Sequence, residues 1–210
     1  MKNLNFSLLF LLILALSIYA CKKPLEEKEV EEVESVDVVL SKDQLDSLQF
    51  AYMAVNDSLD ASWTVMIKDD DEKIADMKRL LKEVSNTRRY DRAKHNSLLK
   101  EVEELSMMRY DRNSMADSDK IDAYDSATSV LTNNVIHYAA NHPLYKEYPK
   151  LEEIINDIQE ADNRVIIYRI RYDRSAKDFN RFVRQNQNHI LQIDSNTNKW
   201  REAALFELSE

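Results

Sequence analysis

Glycine is absent from all 210 residues of the chain, whereas an average protein of this length contains about 15. Tight hairpins, β-bulges and phosphate-binding loops rely on glycine, because it alone takes positive φ without steric cost. Helices need no such residue, and the three prolines, Pro24, Pro143 and Pro149, lie outside the segments of periodic apolar residues. The absence of glycine therefore predicts an all-α fold and argues against β-rich and nucleotide-binding folds.

The strongest periodic signal covers residues 148–184, where apolar residues recur at two heptad positions and form one continuous stripe. The first position holds Leu151, Ile158, Val165, Tyr172 and Phe179, and the second holds Ile154, Ala161, Tyr168, Ser175 and Phe182. A helix of roughly 40 residues, about 60 Å long, is predicted here. Because its stripe needs partner helices along the whole length, we expect an elongated antiparallel bundle of about four helices.

A second long helix is predicted to begin near residue 42, where Ser41 and Gln44 form a capping-box pattern. Its apolar stripe shifts by one residue across the acidic residues 69–72, as a four-residue stutter in an uninterrupted helix would produce. The four acids themselves are interpreted as a solvated helix face. The predicted stripe consists of Leu45, Leu48, Tyr52, Val55, Leu59, Met66, Ile74, Met77, Leu81 and Val84.

The remaining helices are shorter. The apolar stripe lapses over residues 85–97, which either bend the chain or continue the helix, and it returns at Leu98. Another helix is predicted between Asp117 and Asn141. Asp117 places a negative charge at the amide end of this helix, where the helix dipole stabilises it. The spacing of Trp200, Ala204 and Leu208 suggests a short terminal helix folding back.

The N-terminus resembles a bacterial export signal. Lys2 precedes an uncharged apolar run at residues 8–16, and the residues 18–21, Ile-Tyr-Ala-Cys, resemble the lipobox of bacterial lipoproteins. In such proteins the cysteine, here Cys21, becomes the lipidated first residue of the mature chain. A chance thiol in an uncleaved membrane anchor and ordinary secretion are the alternatives.

These features predict three parts of the chain: a signal peptide or membrane anchor at residues 1–20, an acidic flexible tether at 21–40 and a helical bundle domain at 41–210. The tether carries six glutamates and little apolar periodicity, so like charges should keep it extended. We expect a lipid-anchored protein of a bacterial cell envelope with its bundle outside the cytoplasm. Lys22 stands where an aspartate would retain a lipoprotein at the inner membrane, so resemblance to sorting in diderm bacteria favours the outer membrane.

Charge and residue spacing argue against several function classes. The formal net charge is −9, so no nucleic-acid partner is expected, because phosphate binding requires an excess of basic residues. His137 and His142 are five residues apart rather than the four of a helical metal site, and no serine lies in a nucleophile elbow. No catalytic, cofactor-binding or metal-binding residues are predicted, and the protein is expected not to be an enzyme.

The tetrapeptide Arg-Tyr-Asp-Arg occurs three times, at residues 89–92, 109–112 and 171–174. Unequal spacing argues against structural repeats. Arginines three residues apart occupy neighbouring positions on a helix, so ion pairs between helices are the first interpretation. A patch for an anionic ligand or a partner protein is the alternative.

Part of the long helix resembles the C-terminal signature of the LemA family of bacterial membrane-associated helical proteins. The resemblance covers residues 148–184 and rests on Tyr148-Pro149, Leu151, Asp162-Asn163-Arg164-Val165, Arg169, Arg171-Tyr172-Asp173, Ala176 and Phe179-Asn180. The family commonly has Glu-Asn-Arg and two Tyr-Asn pairs, from which Asp162, Asp173 and Phe179 depart. The resemblance implies an elongated antiparallel bundle anchored to the membrane at its N-terminus, in a family without an established enzymatic activity.

These observations predict a non-enzymatic envelope protein that acts as a spacer or as a docking platform. Its expected partners are the membrane, through a lipid on Cys21, and another envelope protein. The alternative is a module that binds a small ligand or a peptide in a polar Tyr/Arg pocket of the bundle. The residues expected to mediate interaction or helix register are Asp162, Asn163, Arg164, Arg171, Tyr172, Asp173 and Asn180.

Overall fold

A computed structural model describes residues 40–193 and 201–206. Over these ranges the chain is mostly helical and contains no β-strand, so the all-α prediction is confirmed. The α-helices are α1 (Lys42–Asn86), α2 (Arg92–Met108), α3 (Ser118–Ala140), α4 (Pro149–Gln185) and α5 (Gln187–Ile193). Short 3-10 turns at Ser114–Ala116 and Tyr145–Glu147 precede α3 and α4. All of these elements belong to one compact unit, Val39–Glu210.

The two longest helices, α1 and α4, pack against each other in opposite directions. Ser58 lies 3.3 Å from Ser175 between hydroxyl oxygens, and Arg79 lies 2.6 Å from Asp157 in an ion pair. Residue numbers therefore rise along α1 as they fall along α4. With 45 residues, α1 is about 67 Å long, so this antiparallel contact provides the frame on which α2 and α3 pack.

The predicted uninterrupted first helix is confirmed. Ser41 and Gln44 form the capping box at its start, and the helix continues through the acidic residues to Asn86. The polar residues after it bend the chain: Asp91 caps α2 by accepting hydrogen bonds from the backbone N–H groups of Ala93 and Lys94. A carboxylate at this position satisfies amide groups that have no partner within the helix.

The predicted stripe of α4 is buried toward both ends of the helix and opens in the middle. Buried members are Leu151, Ile154, Ile158, Ala161, Tyr172 and Phe179, and half-buried members are Val165, Tyr168, Ser175 and Phe182. Val165 and Tyr168 line a cavity rather than a packed seam. The heptad pattern therefore places the helix correctly, but it does not distinguish packing against a neighbour from facing an internal space.

The predicted terminal helix around Ala204 is wrong for the described residues 201–206, which have no helical structure. The predicted return of the chain onto the bundle is confirmed, because this segment lies along α4. Side chains of α4 bind its backbone N–H and C=O groups and so replace the bonds that a helix would form within itself.

Among the residues that the structure describes, no helix is both long enough and apolar enough to cross a lipid bilayer. Residues 1–39, which include the predicted signal peptide, Cys21 and nearly all of the tether, lie outside the described ranges. The predicted domain boundaries, the lipid anchor and the envelope location therefore stay predictions.

Candidate functional site

A cavity of about 270 Å³ lies between α1, α3, α4 and the end of α2. We call it the mid-bundle pocket. Its apolar wall includes Met66, Ile67, Val165 and Ile166. Its polar groups are Asp69, Asp70, Lys73, Arg109, Tyr110, Tyr124, Asp125, Thr128, Ser129, Asp162, Tyr168 and Arg169.

Lys73 is the most deeply buried cation of the pocket. Its ammonium group lies 3.3 Å from a carboxylate oxygen of Asp162 and 3.8 Å from one of Asp70. Asp162 is half-exposed, so the pair runs from the core of the pocket toward solvent. A buried ammonium group is stable only with such partners, because removal from water disfavours its charge.

The prediction that residues 69–72 form a solvated helix face is wrong for the first two acids. Asp69 is buried, and the side chain of Asp70 is largely so, whereas Asp71 and Glu72 are exposed. The stutter in the heptad pattern is the physical reason, since a one-residue shift of the stripe rotates positions 69, 70 and 73 toward the bundle.

Asp69 joins α1 to α4 through Arg164. The guanidinium group donates a hydrogen bond from Nε at 2.8 Å, and its Nη2 lies 2.7 Å from the same carboxylate oxygen in an ion pair. This hydrogen bonding raises the pKa of Arg164 above its ordinary value. The buried carboxylate therefore has a fixed cationic partner, and the pair sets the register of the two long helices at the pocket.

Asp70 connects three elements. It accepts a short hydrogen bond from the hydroxyl of Tyr124 on α3, and Arg109 at the end of α2 lies 3.5 Å away. Burial, followed by the charge of Asp70, raises the pKa of Tyr124 far above its ordinary value. Tyr124 therefore remains a neutral donor, and it cannot act as a base at physiological pH.

The opposite wall is built on Arg169 of α4. Its guanidinium group binds both carboxylate oxygens of Asp125 on α3 at 2.6 Å and donates to the hydroxyl of Tyr110 at 3.1 Å. Burial raises the pKa of Tyr110, although the charge of Arg169 opposes this effect. The fork of two parallel bonds holds the arginine in one orientation.

Two buried polar atoms at the pocket, the hydroxyl oxygen of Thr128 and Nε of Arg169, have no close hydrogen-bond partner among the described residues. The Thr128 hydroxyl does interact with that of Tyr124, which opposes the rise in the pKa of Tyr124. An unpaired buried polar atom costs free energy, so a water molecule or a ligand that bonds to it would stabilise the pocket. Across the described part of the chain, no group of three or more histidine, cysteine, aspartate or glutamate residues could hold a metal ion.

The residues that were expected to mediate interaction or helix register lie in different parts of the structure. Asp162 lines the pocket, and Arg164 reaches it through Asp69. Asn163 and Arg171 face solvent, and the guanidinium of Arg171 lies 5.5 Å from the ring centre of Tyr168. Their proposed roles stay predictions.

The other three expected residues, Tyr172, Asp173 and Asn180, bind the C-terminal segment 201–206. Asn180 donates to the carbonyl of Ala203 at 2.8 Å and accepts from its N–H at 2.7 Å. Tyr172 donates to the carbonyl of Ala204 at 3.2 Å. Asp173 accepts from the N–H of Phe206 at 2.8 Å. We call this contact the C-terminal clasp.

The three Arg-Tyr-Asp-Arg sequences have different roles. Residues 109–112 do form ion pairs, since Arg109 binds Asp70 and Asp71 and Arg112 binds Asp60, but they do so from the loop after α2 rather than from helical positions. The arginines at 89–92 and 171–174 are exposed and form no ion pair within the described ranges. The pairing interpretation is therefore wrong for these two sequences.

The sequence alone did not indicate that Lys73, Tyr124, Thr128 and Arg169 belong to one site. The shifted stripe at residues 69–73 was the available signal, because it turns two acids and a lysine into the bundle. No local pattern relates these positions to α3. Comparisons with protein-family models, curated proteins and solved structures gave no match for this chain.

Proposed function

We propose that the chain is a non-enzymatic, lipid-anchored bacterial envelope protein of the LemA type whose bundle binds a small zwitterionic molecule in the mid-bundle pocket. The supporting observation is a pocket that contains charges of both signs and two buried polar atoms without a close hydrogen-bond partner among the described residues, the Thr128 hydroxyl and Nε of Arg169. This role develops the ligand-binding alternative, which the sequence supported less strongly than a spacer or docking platform.

The pocket size favours a ligand about as large as an amino acid or a dipeptide. Its volume of about 270 Å³ lies near the lower limit of known ligand pockets. A larger ligand would have to extend past Asp162 into solvent.

The charge arrangement favours a zwitterion. Lys73 and Arg169 provide positive charge at different walls, and Asp70 and Asp162 provide negative charge near the lysine. A molecule with a carboxylate and an ammonium group would find a partner for each end. The apolar wall around Met66 would contact its side chain.

The test is ligand binding by the full chain to a panel of amino acids and dipeptides, measured by calorimetry. We expect at least one panel member to bind and the Thr128→Val variant to bind it about 5- to 10-fold more weakly, since a hydrogen bond is worth about 1 kcal/mol. The melting temperature without ligand should stay the same or rise, because the variant removes a buried hydroxyl that lacks a close hydrogen-bond partner.

The matched control is Thr132→Val on the same helix. Thr132 is equally buried, lies outside the pocket and contacts the sulfur of Met77 at 3.8 Å. Its affinity for the panel should equal that of the unaltered chain. Absence of binding by every panel member, or equal losses in both variants, would rule out the pocket as a zwitterion site.

A docking role is the second candidate, supported by an exposed apolar face between α2 and α3. Met108 is 51% exposed and Val130 is 62% exposed, and both line a groove that Glu101 and Glu104 border. A partner segment with apolar residues and flanking basic residues would suit it. If the panel gives no binding, this role becomes the better supported one, and cross-linking in cells should then lose a partner in the Met108→Lys variant.

A further inference from the structure

The C-terminal clasp has the geometry of a peptide complex formed within one chain. Residues 203–206 are non-helical and half-buried, and they lie on α4. Three α4 side chains supply four hydrogen bonds to this segment, and every one of them goes to a backbone N–H or C=O group. Recognition of the backbone in this way is independent of the side chains of the bound segment, so other sequences could form the same bonds.

Sequence preference in the clasp comes from one aromatic side chain. The ring of Phe206 lies 5.6 Å from that of Tyr172 and 5.9 Å from that of Tyr110, both edge to face. The guanidinium of Arg169 lies 4.7 Å from the centre of the same ring. Two aromatic rings and a cation form a socket that an aliphatic residue could not fill equally well.

Residues 203–206 do not provide a hydrogen-bond partner for every polar atom of the α4 side chains that bind them. Asp173 is buried, and its second carboxylate oxygen, Oδ2, has no hydrogen-bond donor among the described residues. A segment that supplies one more donor would satisfy an acceptor that residues 203–206 do not.

We propose that the α4 surface formed by Tyr172, Asp173 and Asn180 is a receptor for an extended peptide of a partner protein. The peptide would carry a small residue at the position of Ala203 and an aromatic residue three positions later. The chain's own segment occupies the surface in the absence of the partner and competes with it. The Phe206 socket shares Tyr110 and Arg169 with the mid-bundle pocket. The two proposals are tested separately, because Asn180 lies outside the pocket and Thr128 lies outside the clasp.

The experiment measures binding of a labelled synthetic peptide with the sequence of residues 201–206 to the full chain by fluorescence anisotropy. The Phe206→Ala variant should bind this peptide at least about tenfold more tightly than the unaltered chain, because its own segment competes less well. A peptide with alanine in place of its phenylalanine should lose most of this affinity.

Two further variants, made in the Phe206→Ala background, test whether the peptide binds to the proposed surface of α4. Asn180→Ala should abolish binding, because it removes both hydrogen bonds to the first small residue of the peptide. Asn163→Ala is the matched control, since Asn163 is exposed on the same helix, and it should leave the affinity unchanged.

Ala203→Pro provides a second way to weaken the intrachain clasp if Phe206→Ala does not fold. It removes the N–H that Asn180 binds and leaves α4 unaltered. A folded variant of either type that does not bind the peptide would overturn the proposal, and so would equal affinity in the unaltered chain. Light scattering that shows a dimer dissociated by the peptide would identify a second copy as the occupant and would overturn the assignment to a partner protein.

Discussion

Three tyrosines, Tyr110, Tyr124 and Tyr172, enter the core with their hydroxyl groups hydrogen-bonded. Burial is the largest effect on Tyr172 and raises its pKa to about 12, although the charge of Arg112 opposes the shift. The folded state therefore holds the proton of Tyr172 more tightly than the unfolded chain, in which the pKa is about 10. The associated stability is fully present below pH 10 and is lost as the pH rises toward 12.

We predict that alkaline titration will unfold the bundle in this window. Tyrosinate absorbance and helical ellipticity should change together, because the buried rings ionise only when the bundle opens. The Tyr172→Phe variant should be destabilised by about 1 kcal/mol at neutral pH, because it lacks one hydrogen bond. Its stability should then fall less steeply above pH 10 than that of the unaltered chain.

The control for this prediction is Tyr148→Phe, since Tyr148 is 37% exposed. Its alkaline transition should match that of the unaltered chain. Complete ionisation of all tyrosines with no loss of helicity would show that the rings reach water in the folded state.

At the scale of single elements, packing determines where α4 is ordered. The helix begins at Pro149, which suits the first turn because its missing N–H would have no partner there. Its sequence contains many polar residues, so the buried stripe against α1 must supply much of its stability. Along that stripe the contact is dense near Ile158 and open near Val165, where the mid-bundle pocket lies.

Substitution of two isoleucines of α4 tests whether the buried stripe supplies this stability. Ile158 is 0% exposed and Ile167 is 47% exposed, although both are apolar residues of the same helix. Ile158→Ala should lower the free energy of unfolding by about 2–5 kcal/mol, because it leaves a cavity in the core. Ile167→Ala should change it by less than about 0.5 kcal/mol.

Chemical denaturation followed by circular dichroism measures both values. The slope with denaturant should stay the same in both variants, because neither substitution changes the surface exposed on unfolding by much. Similar losses in the two variants would mean that the stripe is not the buried face of the helix.

At the scale of the whole molecule, we propose that the bundle is tied to a membrane through Cys21. The sequence contains no other cysteine, so an intramolecular disulfide is excluded and a lipid on this thiol would give the residue a role.

When the chain is expressed in a bacterium, Cys21→Ser should release it from the membrane fraction, because no thiol remains to accept a lipid. Fractionation by ultracentrifugation followed by mass spectrometry of the mature chain measures this release. Lys22→Asp is the control that keeps the cysteine, and it should remain in membranes while moving toward the inner membrane of a diderm host. Full retention of Cys21→Ser in membranes would favour the uncleaved anchor instead.

The local pattern of the sequence determined the helices. A chain without glycine and with apolar residues at heptad spacing has few alternatives to helices, and the stripe in α4 correctly identified Leu151, Ile158 and Phe179 as buried. The capping box at Ser41 fixed the start of α1 because it depends only on residues three positions apart. Features that arise from neighbouring residues could therefore be predicted.

Only the tertiary structure decided which polar residues meet. Lys73 and Asp162 are 89 positions apart, and the C-terminal segment reaches Asn180 by a fold-back whose non-helical form the apolar pattern did not indicate. Such contacts depend on the packing of whole helices, so no local period records them. The physical reason is that burial along a stripe fixes which face of a helix turns inward, whereas hydrogen bonds between distant side chains require the complete arrangement of the bundle.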